Sequence, residues 1–214
     1  MTKKLLITRP KHDLTTHYLF YWAKKIIELA TSKGIPVFDL SKQRANKKEV
    51  TSILNKREPG LVFFNGHGRD NCIAGNDDEV LIEAGKNDHL MRSKIVYSRS
   101  CRSGKTLGPQ CIRSGALVFL GYEQDFVFFT DKNMTNRPLR DNTARLFLEP
   151  SNHVIIGLLK GHSAKESHKR SVKIFRENIS KVANSESPDN YLIPYLLWDM
   201  RHQVCLGDKN AYFH

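Results

Sequence analysis

Leu61-Val62-Phe63-Phe64-Asn65-Gly66-His67-Gly68 is an apolar run that leads straight into a glycine-flanked histidine. Consecutive apolar side chains leave no polar face, so the run predicts a strand covered on both sides, as in the interior of a parallel sheet. The pattern returns at Lys94-Ile95-Val96-Tyr97-Ser98, which runs into Arg99-Ser100-Cys101-Arg102-Ser103-Gly104, and at Ala116-Leu117-Val118-Phe119-Leu120-Gly121. Shorter strands are expected at Lys4–Thr8 and Pro36–Leu40. Helical periodicity fills the intervals: Tyr18, Trp22, Ile26 and Leu29 within Thr15–Ser32, then Val50, Ile53 and Leu54 within Lys47–Arg57. Leu107–Arg113 reads as a helix stopped by Ser114-Gly115. Ser163-Ala164-Lys165-Glu166 has the form of a capping box, opening a helix to about Ala183 with Val172, Phe175, Ile179 and Val182 on one face. A hairpin is expected from Cys72–Ala74 and Val80–Ile82, turning at Gly75–Asp78. Strands alternating with helices predict an α/β fold, a three-layer α/β/α sandwich around a mostly parallel sheet.

With 214 residues, 40% of them hydrophobic, the chain suits a single domain over 1–214. Asn184-Ser185-Glu186-Ser187-Pro188 reads as a linker (near 184–190), and Tyr191–His214 is apolar enough to dock back. The apolar runs are strand-sized, too short to cross a bilayer, and Met1–Ile7 lacks the form of a signal peptide, so a cytoplasmic protein without a membrane partner is expected. Cys72, Cys101, Cys111 and Cys205 form no CxxC pair, and His162 and His168 do not share a helix face, so neither a metal nor a cofactor is expected. The formal charge of +12 is spread along the whole chain. It is read as solubilising, and nucleic acid is not expected as a partner. Ser103-Gly104-Lys105-Thr106 lacks the first glycine of a phosphate-binding loop, because that position is Arg99. Asn76-Asp77-Asp78-Glu79 lacks EF-hand spacing and reads as an acidic turn.

In open parallel sheets, ligand sites form beyond the carboxyl ends of the strands. His67 and Cys101 each follow such an end. A thiol is nucleophilic as a thiolate, and an imidazole beside it can take its proton and return it to the leaving group. Glycines around His67 let the backbone approach a substrate, and the N–H groups of Gly68 and Cys101 are placed to serve as an oxyanion hole. Cys72 is a second candidate thiol but starts a hairpin, and Cys111 and Cys205 read as packing residues.

The order strand–His67-Gly68, then strand–Ser100-Cys101-Arg102-Ser103-Gly104, resembles the caspase-like cysteine peptidases, the group that includes caspases, metacaspases, clostripain, gingipains, separase and CHAT domains. Gly115–Gly121 is similar to their glycine-started strand, and Leu196-Leu197-Trp198 with Leu206-Gly207-Asp208 to the closing segment of CHAT and gingipain-type domains. The resemblance implies a caspase-like fold and a cysteine endopeptidase with His67 and Cys101 as its dyad, acting on a protein or peptide and cutting after a basic or acidic P1 residue. Strand alternation would point Arg99 the same way as Cys101, and Arg99 with Arg9 would select an acidic P1. Glu123 and Asp125 would select a basic one, and the choice stays open here. Control by a regulatory protein partner or by self-cleavage fits a chain without a sensor domain. Asn65, Asp70 or a backbone carbonyl are the candidates to orient His67. The alternative is a non-catalytic scaffold on the same fold, recruiting an acidic partner or nucleic acid. Phe126–Arg140 has no assigned structure.

Overall fold

The computed structural model describes residues 3–183 and 188–214. The expected linker at Asn184–Pro188 lies largely outside them. In chain order the elements are β1 (Leu5–Arg9), α1 (Leu14–Ser32), β2 (Val37–Ser41), α2 (Lys47–Arg57), β3 (Leu61–Asn65), β4 (Gly68–Arg69), β5 (Cys72–Ala74), β6 (Val80–Glu83), β7 (Ile95–Arg99), α3 (Leu107–Arg113), β8 (Val118–Tyr122), α4 (Asn142–Leu159), α5 (Ala164–Ala183), α6 (Ile193–His202) and β9 (Gln203–Gly207). The main sheet runs β2-β1-β3-β7-β8-β9, parallel except for β9, which pairs antiparallel with β8 at the edge.

Alternation along the buried strands sorts the core into two layers. Leu5, Ile7, Leu61, Phe63, Ile95 and Tyr97 meet Ala23, Ile26 and Ala30 of α1 and Val154, Ile155 and Leu158 of α4. Leu6, Val62, Phe64, Val96 and Phe119 meet Val50 and Leu54 of α2, Leu107 and Cys111 of α3, and the small β4-β5-β6 sheet. The fold is therefore a three-layer α/β/α sandwich with a mostly parallel six-stranded centre.

Sequence periodicity announces neither α6 and β9 nor helix α4, where Pro150 sits inside the helix. Proline has no N–H for the Leu146 carbonyl one turn back. That carbonyl instead accepts from Asn178 Nδ2 of α5 at 2.8 Å, so the helix passes through the proline without an orphaned acceptor. Ser163 and Glu166 make the expected capping box: Glu166 Oε2 accepts from Ser163 N at 2.9 Å, and Ser163 Oγ accepts from Glu166 N at 3.2 Å. Phe126–Arg140 is irregular apart from 3-10 turns at Lys132–Met134 and Pro138–Arg140.

Candidate active site

Register decides which loops meet. In the β3/β7 pair, Asn65 lies opposite Arg99. His67 and Cys101 therefore each stand two residues beyond one paired position, on neighbouring strands about 4.8 Å apart. The chain then turns sharply on both sides. Gly66 has φ +142, and a Cβ there would lie 2.5 Å from Ala74 O. At Gly68 a Cβ would lie 2.8 Å from both Cys101 O and Ser100 Cβ, and 3.3 Å from Cys101 N. The histidine loop thus packs directly on the backbone of the cysteine turn.

His67 is held from one side. Its Nε2 meets Asp13 Oδ2 at 2.5 Å. Asp13 is the N-cap of α1, and its Oδ1 accepts from Thr16 N at 2.7 Å and from Thr16 Oγ1 at 2.7 Å. The carboxylate is therefore fixed by the helix start before it touches the imidazole. Partial burial pushes the Asp13 carboxyl up, but hydrogen bonds from Thr16 N–H, His67 and the Thr16 hydroxyl outweigh it and bring it down to about 2. With Nε2 occupied, Nδ1 is the nitrogen left for proton transfer. The expected orienting groups are committed elsewhere. Asn65 Nδ2 donates to Thr8 O at 2.9 Å, and the Asp70 carboxylate receives Lys105 at 2.9 Å and Arg102 at 3.6 Å. Asp13 went unnoticed in the sequence. The legible signal was its place as the acidic cap of a helix that starts at the same end of the sheet.

Cys101 is in a different condition. Its Sγ donates to Phe126 O at 3.8 Å rather than to His67. Burial pushes the thiol up to about 11; the Phe126 contact pulls the other way, while the negative charge of Asp125 adds to the rise. Asp199 of α6 is fully buried. Its Oδ1 accepts from Val127 N at 3.0 Å and its Oδ2 has no hydrogen-bond partner. Burial holds its carboxyl well above the usual carboxylate range.

The four expected substrate-selecting residues separate. Arg99 is fully buried under α1 and α4: its Nε and Nη2 donate to Asn65 Oδ1 at 3.0 and 2.6 Å, and its Nη1 to Asn152 Oδ1 at 2.8 Å. Burial pulls its guanidinium down to about 10. Arg9 is buried as well, paired with Asp39 and lying 4.2 Å from the centre of the Phe20 ring. Neither arginine faces Cys101 from a pocket, contrary to expectation. The strand ends at Arg99 and the chain turns through Ser100–Cys101, so alternation does not carry across to the nucleophile. Asp125 pairs with Arg102 at 3.1 Å and remains exposed beside Cys101, and Glu123 meets His202 Nδ1 at 3.1 Å. Of the other thiols, Cys111 is buried in the core. Cys72 helps to line a cleft of about 490 Å³ that opens on His67, Gly68 and Asp78.

His12, His67 and Asp78 also converge. One ligand atom from each lies within 4.8 Å of the others. Three separate loops supply them, so the spacing test along a single helix, which led to the expectation of no metal site, could not have found them.

No helix among the described residues is long and apolar enough to cross a membrane. No protein-family model and no curated protein matches the sequence. Among solved structures, the chain is similar to the complex of Porphyromonas gingivalis RgpB pro- and mature domains, with a TM-score of 0.60 at 9% identity over 97% of this chain and 48% of that one. It is also similar to a chain described as "Structure of Protease", with a TM-score of 0.54 at 12% identity over 98% of this chain and 48% of the other. The chain spans about half the length of each. At such identities the likeness concerns the fold alone.

Proposed function

We propose that the chain is a cysteine endopeptidase with Cys101 as nucleophile, His67 as acid/base and Asp13 as the group that orients His67. The observation that carries this is the in-register placement of His67 and Cys101 beyond neighbouring parallel strands, with Gly68 packed on the Cys101 backbone. In the reaction, the Cys101 thiol gives its proton to His67 Nδ1 and Sγ adds to the scissile carbonyl. His67 then protonates the leaving amine as the C–N bond breaks, and water releases the acyl group by the reverse proton path. Asp13 keeps the imidazole turned and stabilises its charged form. Gly68 and Cys101 N–H groups are the proposed donors to the oxyanion.

The resting thiol, turned to Phe126 O, fits a latent enzyme whose Phe126–Arg140 segment must shift for Sγ to face His67. A regulatory protein or a cut in that segment would supply the change. The same observation favours the competing reading, a scaffold that has kept the fold without the chemistry. For specificity, we infer a basic P1 residue: Asp125 is the exposed acid beside Cys101, and Arg99 and Arg9 are tied up in the interior.

Labelling by peptide acyloxymethyl ketones tests both points. The expected result is an adduct on Cys101, faster with Lys or Arg than with Asp or Glu at P1, absent in Cys101→Ala and strongly slowed in His67→Ala. An adduct indifferent to His67, or none in the intact or cleaved chain, would leave the scaffold in possession.

A further inference from the structure

His12 is the least explained polar side chain near the site. It lies next to Asp13 in the β1–α1 loop, and its side chain is 15% exposed. Both ring nitrogens are shielded from solvent, and neither has a hydrogen-bond partner. Shielded, unsatisfied ring nitrogens are costly, and some interaction normally offsets that cost. Its Nε2 lies 3.5 Å from Asp78 Oδ1 and 4.0 Å from Asp13 Oδ2. Those separations are long for hydrogen bonds. The first is close to the spacing of two ligands on one ion, because bonds of about 2.0–2.1 Å at a tetrahedral angle put ligand atoms about 3.3–3.4 Å apart, and the second leaves Asp13 just outside such a shell.

The His67 ring stands 5.8 Å from the His12 ring, centre to centre and edge to face. The 4.8 Å spread of the His12, His67 and Asp78 ligand atoms needs to close by about 1.5 Å for tetrahedral coordination. The Asp78 side chain is 67% exposed and free to make that adjustment. The loops that carry the residues are already tied together: Lys11 N donates to Asn76 Oδ1 at 3.0 Å, and Ala74 N to His67 O at 2.9 Å. The cleft of about 490 Å³ that has His67 and Asp78 on its walls gives an ion a way in.

We propose that His12, His67 and Asp78 bind a divalent transition metal of the zinc class, with Asp13 Oδ2 beside them and water completing the shell. Two imidazoles with a carboxylate suit zinc better than calcium or magnesium, which take all-oxygen shells. The ion would hold the imidazole that the reaction needs for proton transfer, so zinc switches the site off. The switch rests on the cysteine peptidase reading, whereas the metal site itself does not.

The test is titration of metal-free protein with Co²⁺, followed by its visible absorption and by displacement with Zn²⁺. His12→Gln and Asp78→Asn are run beside the wild type, with circular dichroism to establish that each is folded. One Co²⁺ per chain with tetrahedral nitrogen–oxygen bands is expected, weakened at least about 30-fold in each variant, in line with losing one ligand. Zinc should slow Cys101 labelling at least tenfold in the wild type, and the slowing, taken against each variant's own metal-free rate, should fade in both variants. No uptake, uptake indifferent to both substitutions, or faster labelling with zinc overturns the proposal. Should no labelling occur in any metal-free sample, the cobalt titration still decides the metal site, and the failure belongs to the peptidase reading alone.

Discussion

The two halves of the site are built to different degrees of readiness. On the β3 side, His67 is held by a carboxylate that is itself locked as a helix cap, and an open cleft leads to it. On the β7 side, Cys101 is half-buried, protonated and hydrogen-bonded to a carbonyl of the irregular segment that follows β8. A preorganised base facing a masked nucleophile has the logic of a controlled enzyme: the costly alignment is done in advance, and one local movement remains.

The largest effect expected is in the pH profile of the thiol. A group at about 11 gains thiolate tenfold per pH unit, so alkylation of native Cys101 by iodoacetamide should rise about 10³-fold from pH 7 to pH 10. Burial disfavours the charged thiolate, so the shift is upward and native Cys101 lags the unfolded chain throughout the neutral range. A fast plateau near pH 7 would mean that His67 already holds the proton, and the contrast between the halves would collapse. Next comes Arg99→Met. With the guanidinium gone, Asn65 and Asn152 amide oxygens lose their donors in the core, and a loss of about 3 kcal/mol in urea unfolding is expected. Unchanged stability with an altered P1 preference would put Arg99 back in a pocket.

Asp13→Asn sharpens the other side. Asparagine still caps a helix, so stability should change by less than about 0.5 kcal/mol. Labelling of the unmasked enzyme should nonetheless fall about 30-fold near neutral pH, since an amide neither stabilises the imidazolium nor fixes its tautomer as a carboxylate does. An equal fall at every pH would argue for lost structure instead. The smallest effect is Asp125→Asn, which should erase about tenfold of the preference for Lys or Arg over neutral residues at P1, read from relative labelling rates.

The strands were legible because their residues are apolar without interruption, and burial on both faces is the only arrangement that such a run tolerates. Placing His67 and Cys101 at the same end of the sheet followed from strand order. Arg99 marks where strand alternation stops. Alternation correctly sets Ile95, Tyr97 and Arg99 on one face, but it is a property of extended chain and lapses where β7 ends. Asp13, His12 and Asp78 were out of reach for another reason: they lie up to 66 positions apart and come together only through loop packing, which no local period encodes. Helix α4 was hidden by Pro150, whose compensation is supplied by a residue in another helix.

That compensation bears on the order of assembly. The Leu146 carbonyl receives its donor from Asn178, so α4 reaches its full set of hydrogen bonds only when α5 lies against it. Helix formation alone cannot finish α4, and docking must. Because α4 covers Tyr97 and Arg99, which lead into the nucleophile turn, the scaffold beneath Cys101 is complete only when the C-terminal half of the chain is docked.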